Sequence, residues 1–185
     1  MAIVISTSRR PAQKVRTFCK ELARALPQTT HMVRGSSSFR ELAHNAFSTG
    51  ASRLFVVDSR ENNPNSVKIY RLEPGCLEEI FSIQIAENQL KRERNATSRV
   101  RKPSSITFEF HNVIDWLQKK FLDSFAPILA SSNASSGRMY TFSVRAEDNV
   151  AFKTYTGVII NPLNDTIVSP SFRFFVDRRN VNGRP

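Results

Sequence analysis

Residues 2–27 read AIVISTSRRPAQKVRTFCKELARALP. A short apolar run of strand type, residues 2–6, leads through a polar turn at Arg9 to Pro11 into apolar residues at helical spacing, Val15, Phe18, Cys19, Leu22 and Leu26, until Pro27 ends the pattern. Strand, turn and amphipathic helix in that order open an α/β unit, and Pro11 stands where helices favour a start. The charge is the anomaly. A helix N-terminus carries partial positive charge and favours Asp or Glu, yet Arg9 and Arg10 precede Lys14 and Arg16. On the solvent side Arg16, Lys20 and Arg24 recur every four residues as one stripe. Like charges at that spacing repel by about 0.2–0.5 kcal/mol per pair, so the stripe costs stability unless an anion lies along it.

The composition agrees. The chain has 185 residues, 40% of them hydrophobic, enough for one globular domain or two small fused halves. Lys and Arg number 27 against 16 Asp and Glu, a net charge of +11 with a pI near 10.4, which points to a polyanionic partner. Residues 1–34 hold seven basic groups and one acidic, and residues 91–102 hold six and one, whereas 35–90 have five and seven and 103–185 nine and seven. Charge gathered in two segments suggests one or two binding faces, with solvated surface as the plain alternative. The apolar runs are too short to span a bilayer and MAIVIS is too brief for a signal peptide, so a soluble intracellular protein with no membrane partner is expected. Cys19 and Cys76 form no metal or redox pair and read as small core groups; His31, His44 and His111 show no ligand spacing and read as structural.

Further along, residues 31–34 read as a second strand. Ser38 with Glu41 makes a capping box for a helix whose apolar face is Phe39, Leu42, Ala43, Ala46 and Phe47, closed by Gly50. Residues 53–59 and 66–72 read as strands joined by the turn-rich ENNPN. The order is thus βαβαββ. A second half begins near Pro74-Gly75: a strand in FSIQIAENQL, a basic loop KRERNATSRVRKP, a strand in ITFEF, and a helix capped by Asn112 with Val113, Leu117, Phe121 and Phe125 on one face and Ile114, Trp116 and Leu122 widening it. Three more strand patterns follow the loop SSNASSG (131–137), in RMYTFSVRA, VAFKTYTGVII and SFRFFVD, and RRNVNGRP ends the sequence as a basic tail.

These residues carry a family likeness. Thr7-Ser8-Arg9-Arg10-Pro11, then Arg16-Thr17-Phe18 and Lys20-Glu21-Leu22, then Arg34-Gly35 with Ser38-Phe39 and Glu41-Leu42, then Leu54-Phe55-Val56-Val57, resemble in order and spacing the Brix domain of ribosome-biogenesis proteins over roughly residues 3–75. The second half departs from the pattern, with Pro74-Gly75-Cys76 where the family has Gly-Pro-Thr and Phe152-Lys153-Thr154-Tyr155 at the late aromatic and basic motif. The resemblance implies one Brix-like domain over 1–185, with halves of about 1–75 and 76–178 and a tail at 179–185. It also implies an α/β fold of two pseudo-symmetric halves, each a small mixed sheet with helices similar to the anticodon-binding domain of class II tRNA synthetases. The implied role is in ribosomal RNA processing and subunit assembly, where eukaryotic relatives act with a guide-RNA particle. Lacking the long charged extensions of those relatives, the chain looks like a minimal archaeal member working in the cytoplasm; a eukaryotic member would be nucleolar.

The residues themselves support the same expectation. Backbone N–H groups near Ser8 to Ala12 can receive a phosphate, and Arg9 and Arg10 offer forked donors suited to phosphate oxygens. The expected RNA contacts are Ser8, Arg9, Arg10, Lys14, Arg16, Lys20, Arg24, Arg34 and Gly35, with Lys91, Arg92, Arg94, Arg99, Arg101 and Lys102 as a second set. The plain alternative is arginines paired to carboxylates such as Asp58 or Glu61. No RNP-type aromatics or GXXG loop is present, which favours binding by backbone and shape. Catalysis has little support: GxxxxGK[ST] and GxGxxG are absent, and GSSS alone is a weak phosphate motif. No cofactor or metal is expected. A monomeric RNA binder is the leading expectation, with ribosomal RNA or its precursor as partner and assembly or guide-particle proteins as further partners, against an adaptor whose basic faces meet acidic protein tails.

Overall fold

The computed structural model describes residues 2–90, 93, 102–129, 138–147, 154–161 and 166–176. In chain order the elements are β1 (Ile3–Thr7), α1 (Gln13–Ala25), β2 (Thr29–His31), α2 (Phe39–Ser48), β3 (Arg53–Arg60), β4 (Asn63–Glu73), β5 (Cys76–Gln89), β6 (Ser105–His111), α3 (Asp115–Leu129), β7 (Met139–Glu147), β8 (Thr154–Asn161), β9 (Thr166–Ile167) and β10 (Ser171–Phe175). The chain is mixed α/β, as expected. Its strands, however, join into one sheet of order β2-β1-β3-β4-β5-β10-β8-β7-β6, with β9 paired to β8, rather than two small ones. The join is the antiparallel pairing of β5 with β10, where a register shift between Arg173 and Phe174 takes up the mismatch.

Local chemistry explains the connections. β1 lies between β2 and β3 and is parallel to both, which requires helical crossovers; α1 and α2 supply them. Glu61 and Asn62, at φ 51° and 65°, make the two-residue turn between β3 and β4, a conformation that suits the twist of a hairpin. Pro74 and Gly75, the latter at φ 73°, turn β4 back into β5, so β5 pairs with β4 on one side and with β10 on the other.

Alternation along the strands then separates two cores. Ile3, Ile5, Phe55, Val57, Val67 and Ile69 face α1 and α3, whereas Val4, Leu54, Val56 and Leu72 face α2. On the first face each helix reaches across the chain. Phe18 of α1 meets Phe172 of β10 edge-on at 5.9 Å, and Phe125 of α3 meets Phe55 of β3 at 5.2 Å. Gly157 on β8 is bare because an added Cβ would lie 3.0 Å from the Phe172 ring and 3.3 Å from Phe142.

Several boundaries differ from the sequence reading, each for a local reason. Pro11 precedes the N-cap rather than opening the helix: Arg10 turns left-handed at φ 51° and Ala12 is extended, so α1 starts at Gln13. The second strand comes earlier, because Gln28 turns at φ 48° directly after Pro27 and Thr29 pairs at once with Ile3. Asn112 does not cap α3. It sits at φ 57°, and the first helical bonds reach back to the Ile114 carbonyl. Phe47 is exposed, since α2 packs through Leu42, Ala43 and Ala46, and Cys76 is exposed while Cys19 is buried. β9 was not anticipated; two residues carry no periodicity. Among the described residues no helix is long and apolar enough to cross a membrane, and no group of three metal-ligating side chains occurs.

Candidate nucleic-acid interface

Parallel pairing brings the C-terminal ends of β1, β2 and β3 to one end of the sheet, where the loops entering α1 and α2 gather. Ser8 does not offer a free amide there. Its N–H donates to the Val57 carbonyl at 2.9 Å, extending the β1–β3 ladder by one residue and fixing where the loop departs. Arg9 and Arg10 follow, both exposed. The left-handed turn at Arg10 is rare for a residue with a Cβ and is held by the strand before it and the helix after it. Ala12 provides no side-chain cap and the first turn of α1 holds no acid, so the positive end of the helix stands beside two cations.

The stripe forms as the periodicity requires. Val15, Phe18, Cys19 and Leu22 are buried against the sheet, and Arg16, Lys20 and Arg24 are exposed on the opposite side. Among the described residues none of Arg9, Arg10, Arg16, Lys20 or Arg24 has a carboxylate within ion-pair distance. Glu61, a suggested counter-ion, pairs instead with Arg60 at 3.6 Å. Lys20 is felt by His31 on β2, whose pKa is held below its usual range by burial and secondarily by that ammonium.

The other expected contacts are engaged within the fold. Lys14 pairs with Glu93 at 3.4 Å, and Glu93 also accepts the Leu90 N–H at 2.8 Å. The Lys102 ammonium donates to the Thr29 carbonyl on the outer edge of β2, and its pKa is lowered by desolvation. Arg34 donates from Nε to the Ser37 carbonyl at 3.2 Å and lies 5.9 Å from the Phe39 ring centre. Gly35, at φ 59°, makes the turn between them. The serine loop is no empty cradle: the Ser37 N–H donates to Arg34, and the Ser38 N–H donates to Glu41 at 2.7 Å. Glu41 therefore occupies the start of α2, and these hydrogen bonds, with Arg9 nearby, hold its carboxyl below the usual range. Lys91, Arg92, Arg94, Arg99 and Arg101 lie outside the described residues. Glu93 and Lys102, near the two ends of that basic segment, touch the first turn of α1 and the strand just after it.

Two positions on α2 are missing from the expected contacts. Arg40 and His44 are exposed on α2 and line an open cleft with Ser36, Ser37, Glu41 and Asn45. Their i, i+4 spacing was the available signal.

No protein-family model matches the chain. Over 91 residues it is 37% identical to the "Probable Brix domain-containing ribosomal biogenesis protein" of Aeropyrum pernix, a match covering 49% of this chain and 51% of that protein. The match thus spans about half the length of that relative. A protein of the same name from Thermococcus kodakarensis is 22% identical over 157 residues, covering 85% of this chain and 74% of its own. The crystal structure of a probable ribosomal biogenesis protein from Aeropyrum pernix superposes with a TM-score of 0.77 at 24% identity, covering 95% of this chain and 96% of its own, so the fold is shared. The chain is therefore a homologue of the archaeal Brix domain-containing ribosomal biogenesis proteins.

Proposed function

We propose that this protein is a non-catalytic RNA-binding factor of ribosome biogenesis that holds ribosomal RNA or its precursor, alone or paired with a guide RNA, and acts as a monomer in the cytoplasm. One observation carries the reading: Arg9, Arg10, Arg16, Lys20 and Arg24 lie along one loop and helix with no carboxylate in ion-pair range among the described residues. Charges left in that state are repelled by one another and are satisfied by a polyanion. The names of the relatives supply the biological setting. The pairing order supports the reading of two pseudo-symmetric halves akin to anticodon-binding domains. β1-β3-β4-β5 and β6-β7-β8-β10 both run parallel, antiparallel, antiparallel.

The test is filter binding of a ribosomal RNA fragment across a salt series, with the wild type and with Arg9→Glu/Arg10→Glu. Five phosphate contacts on a single strand give a log–log salt slope of about −3.5, and the double reversal removes most of the affinity. RNA affinity that ignores salt, or none at all beside capture of an acidic peptide, would place the protein among adaptors.

A further inference from the structure

We infer that α1 binds a run of about five consecutive phosphodiesters of one nucleic-acid strand and reads neither base nor sugar; this rests on the reading of the protein as an RNA binder. The geometry points there through spacing. Arg16, Lys20 and Arg24 each lie four residues apart on an uninterrupted 13-residue helix, so their Cα atoms advance about 6 Å per step along the axis, comparable to the separation of neighbouring phosphates along one strand. Arg9 and Arg10, exposed in the loop just before the helix, add two further cations at its N-terminal end. The helix is roughly 20 Å long, which together with the loop matches four or five phosphates.

What flanks the row matters equally. The only ring on α1 is Phe18, fully buried in the core, so the helix itself offers no aromatic platform on which a base could stack. Thr17 is half-buried and its hydroxyl donates back to the Gln13 carbonyl at 3.0 Å, which uses its proton within the helix. Among the described residues, two further cations near the row are committed elsewhere, Lys14 to Glu93 and Lys102 to Thr29. The row therefore presents charge at a fixed interval and little else. Contacts of that kind set register and carry no sequence information, so any preference for one RNA element arises on another surface.

The experiment compares oligouridylate with oligothymidylate over lengths of two to twelve nucleotides by fluorescence anisotropy, using the full chain, the variant Lys20→Glu/Arg24→Glu and the milder Lys20→Gln/Arg24→Gln. Expected are affinities for RNA and DNA within about threefold, a rise with length that levels near five phosphates, and a roughly tenfold or larger loss with a salt slope shallower by about 1.4 in both variants. All the substituted side chains are exposed, and circular dichroism with thermal melting verifies that the variants fold. A tenfold preference for RNA over DNA, or a length plateau at two nucleotides, overturns the inference. So does unchanged affinity in both variants while Arg9→Glu/Arg10→Glu still abolishes binding, and the RNA-binding role then stands without α1. If the wild type binds neither polymer, the broader reading fails instead.

Discussion

Arg53 on β3 and Asp123 on α3, 70 residues apart, are joined twice: one guanidinium nitrogen of Arg53 donates to the main-chain carbonyl of Asp123 at 3.1 Å and to its carboxylate at 3.4 Å. Arg71 on β4 holds the second carboxylate oxygen at 3.4 Å. This locks a helix of the second half onto strands of the first, at the end of the sheet away from the basic loop.

The lock is asymmetric, and that yields the first prediction. Arg53 is 8% exposed and its Nε has no partner, whereas the Asp123 side chain is 42% exposed. Removing the carboxylate takes the ion-pair partner from a buried cation that keeps the Ser52 and Asp123 carbonyls, which costs about 1–3 kcal/mol, while replacing the arginine by an apolar residue of similar length also removes the unsatisfied nitrogen. Asp123→Ala is therefore expected to lose more stability in urea denaturation than Arg53→Met. The reverse order would mean that the ion pair is a net stabiliser in its own right.

The two thiols should behave oppositely. Cys19 is buried, donates weakly to the Ser6 carbonyl at 3.7 Å and has its pKa pushed up to about 12 by burial, while Cys76 is exposed at the β4–β5 turn. Because the thiolate is the reactive form, a native sample treated with a thiol reagent should show one fast equivalent and release the second only on unfolding. Two fast equivalents would place Cys19 at the surface.

His31 supplies a pH dependence. Its native pKa lies below the unfolded value near 6.5, so the unfolded chain takes up the proton first as pH falls. The stability contributed by the neutral ring is complete above about pH 6.5 and is lost as pH drops from there toward the lower native pKa. A strand seated on Lys20 offsets the ammonium that helps hold this pKa down, so polyanion binding should raise it. Nuclear magnetic resonance titration of the His31 ring, free and with oligothymidylate, measures both; a free-state pKa at or above the ordinary value contradicts the burial argument.

How much of this was legible depends on how far apart the interacting residues lie in sequence. The capping box of Ser38 and Glu41 and the buried face of α1 are local and follow from spacing alone. Lys14 looked like a phosphate ligand because Glu93, its partner, is 79 positions away and only the fold brings them together. Lys102 and Thr29 are likewise 73 apart. The same limit hid the joining of both halves through β5 and β10, since pairing between distant strands leaves no periodic trace. Arg9, Arg16, Lys20 and Arg24 could be read correctly as exposed because a helix and its entry turn decide their direction without distant help.

Arg10 tests whether that exposure serves binding. A residue with a Cβ at φ 51° bears a penalty of roughly 1–2 kcal/mol, which glycine escapes at an entropic cost of about 0.5–1 kcal/mol. Arg10→Gly should therefore be equally stable or slightly more stable, by up to about 1 kcal/mol, a change visible as a higher urea midpoint. The same substitution removes one phosphate contact, so nucleic-acid affinity should fall roughly fivefold and the salt slope should become shallower by about 0.7. Arg10→Ala separates the two effects, since it keeps the strained backbone while losing the cation: its affinity should match the glycine variant and its stability should not improve. A fold made more stable by losing a residue that binding needs is the signature of a position retained for function. If Arg10→Gly instead lowers stability, the arginine side chain holds the turn together and its place in the row of cations is incidental.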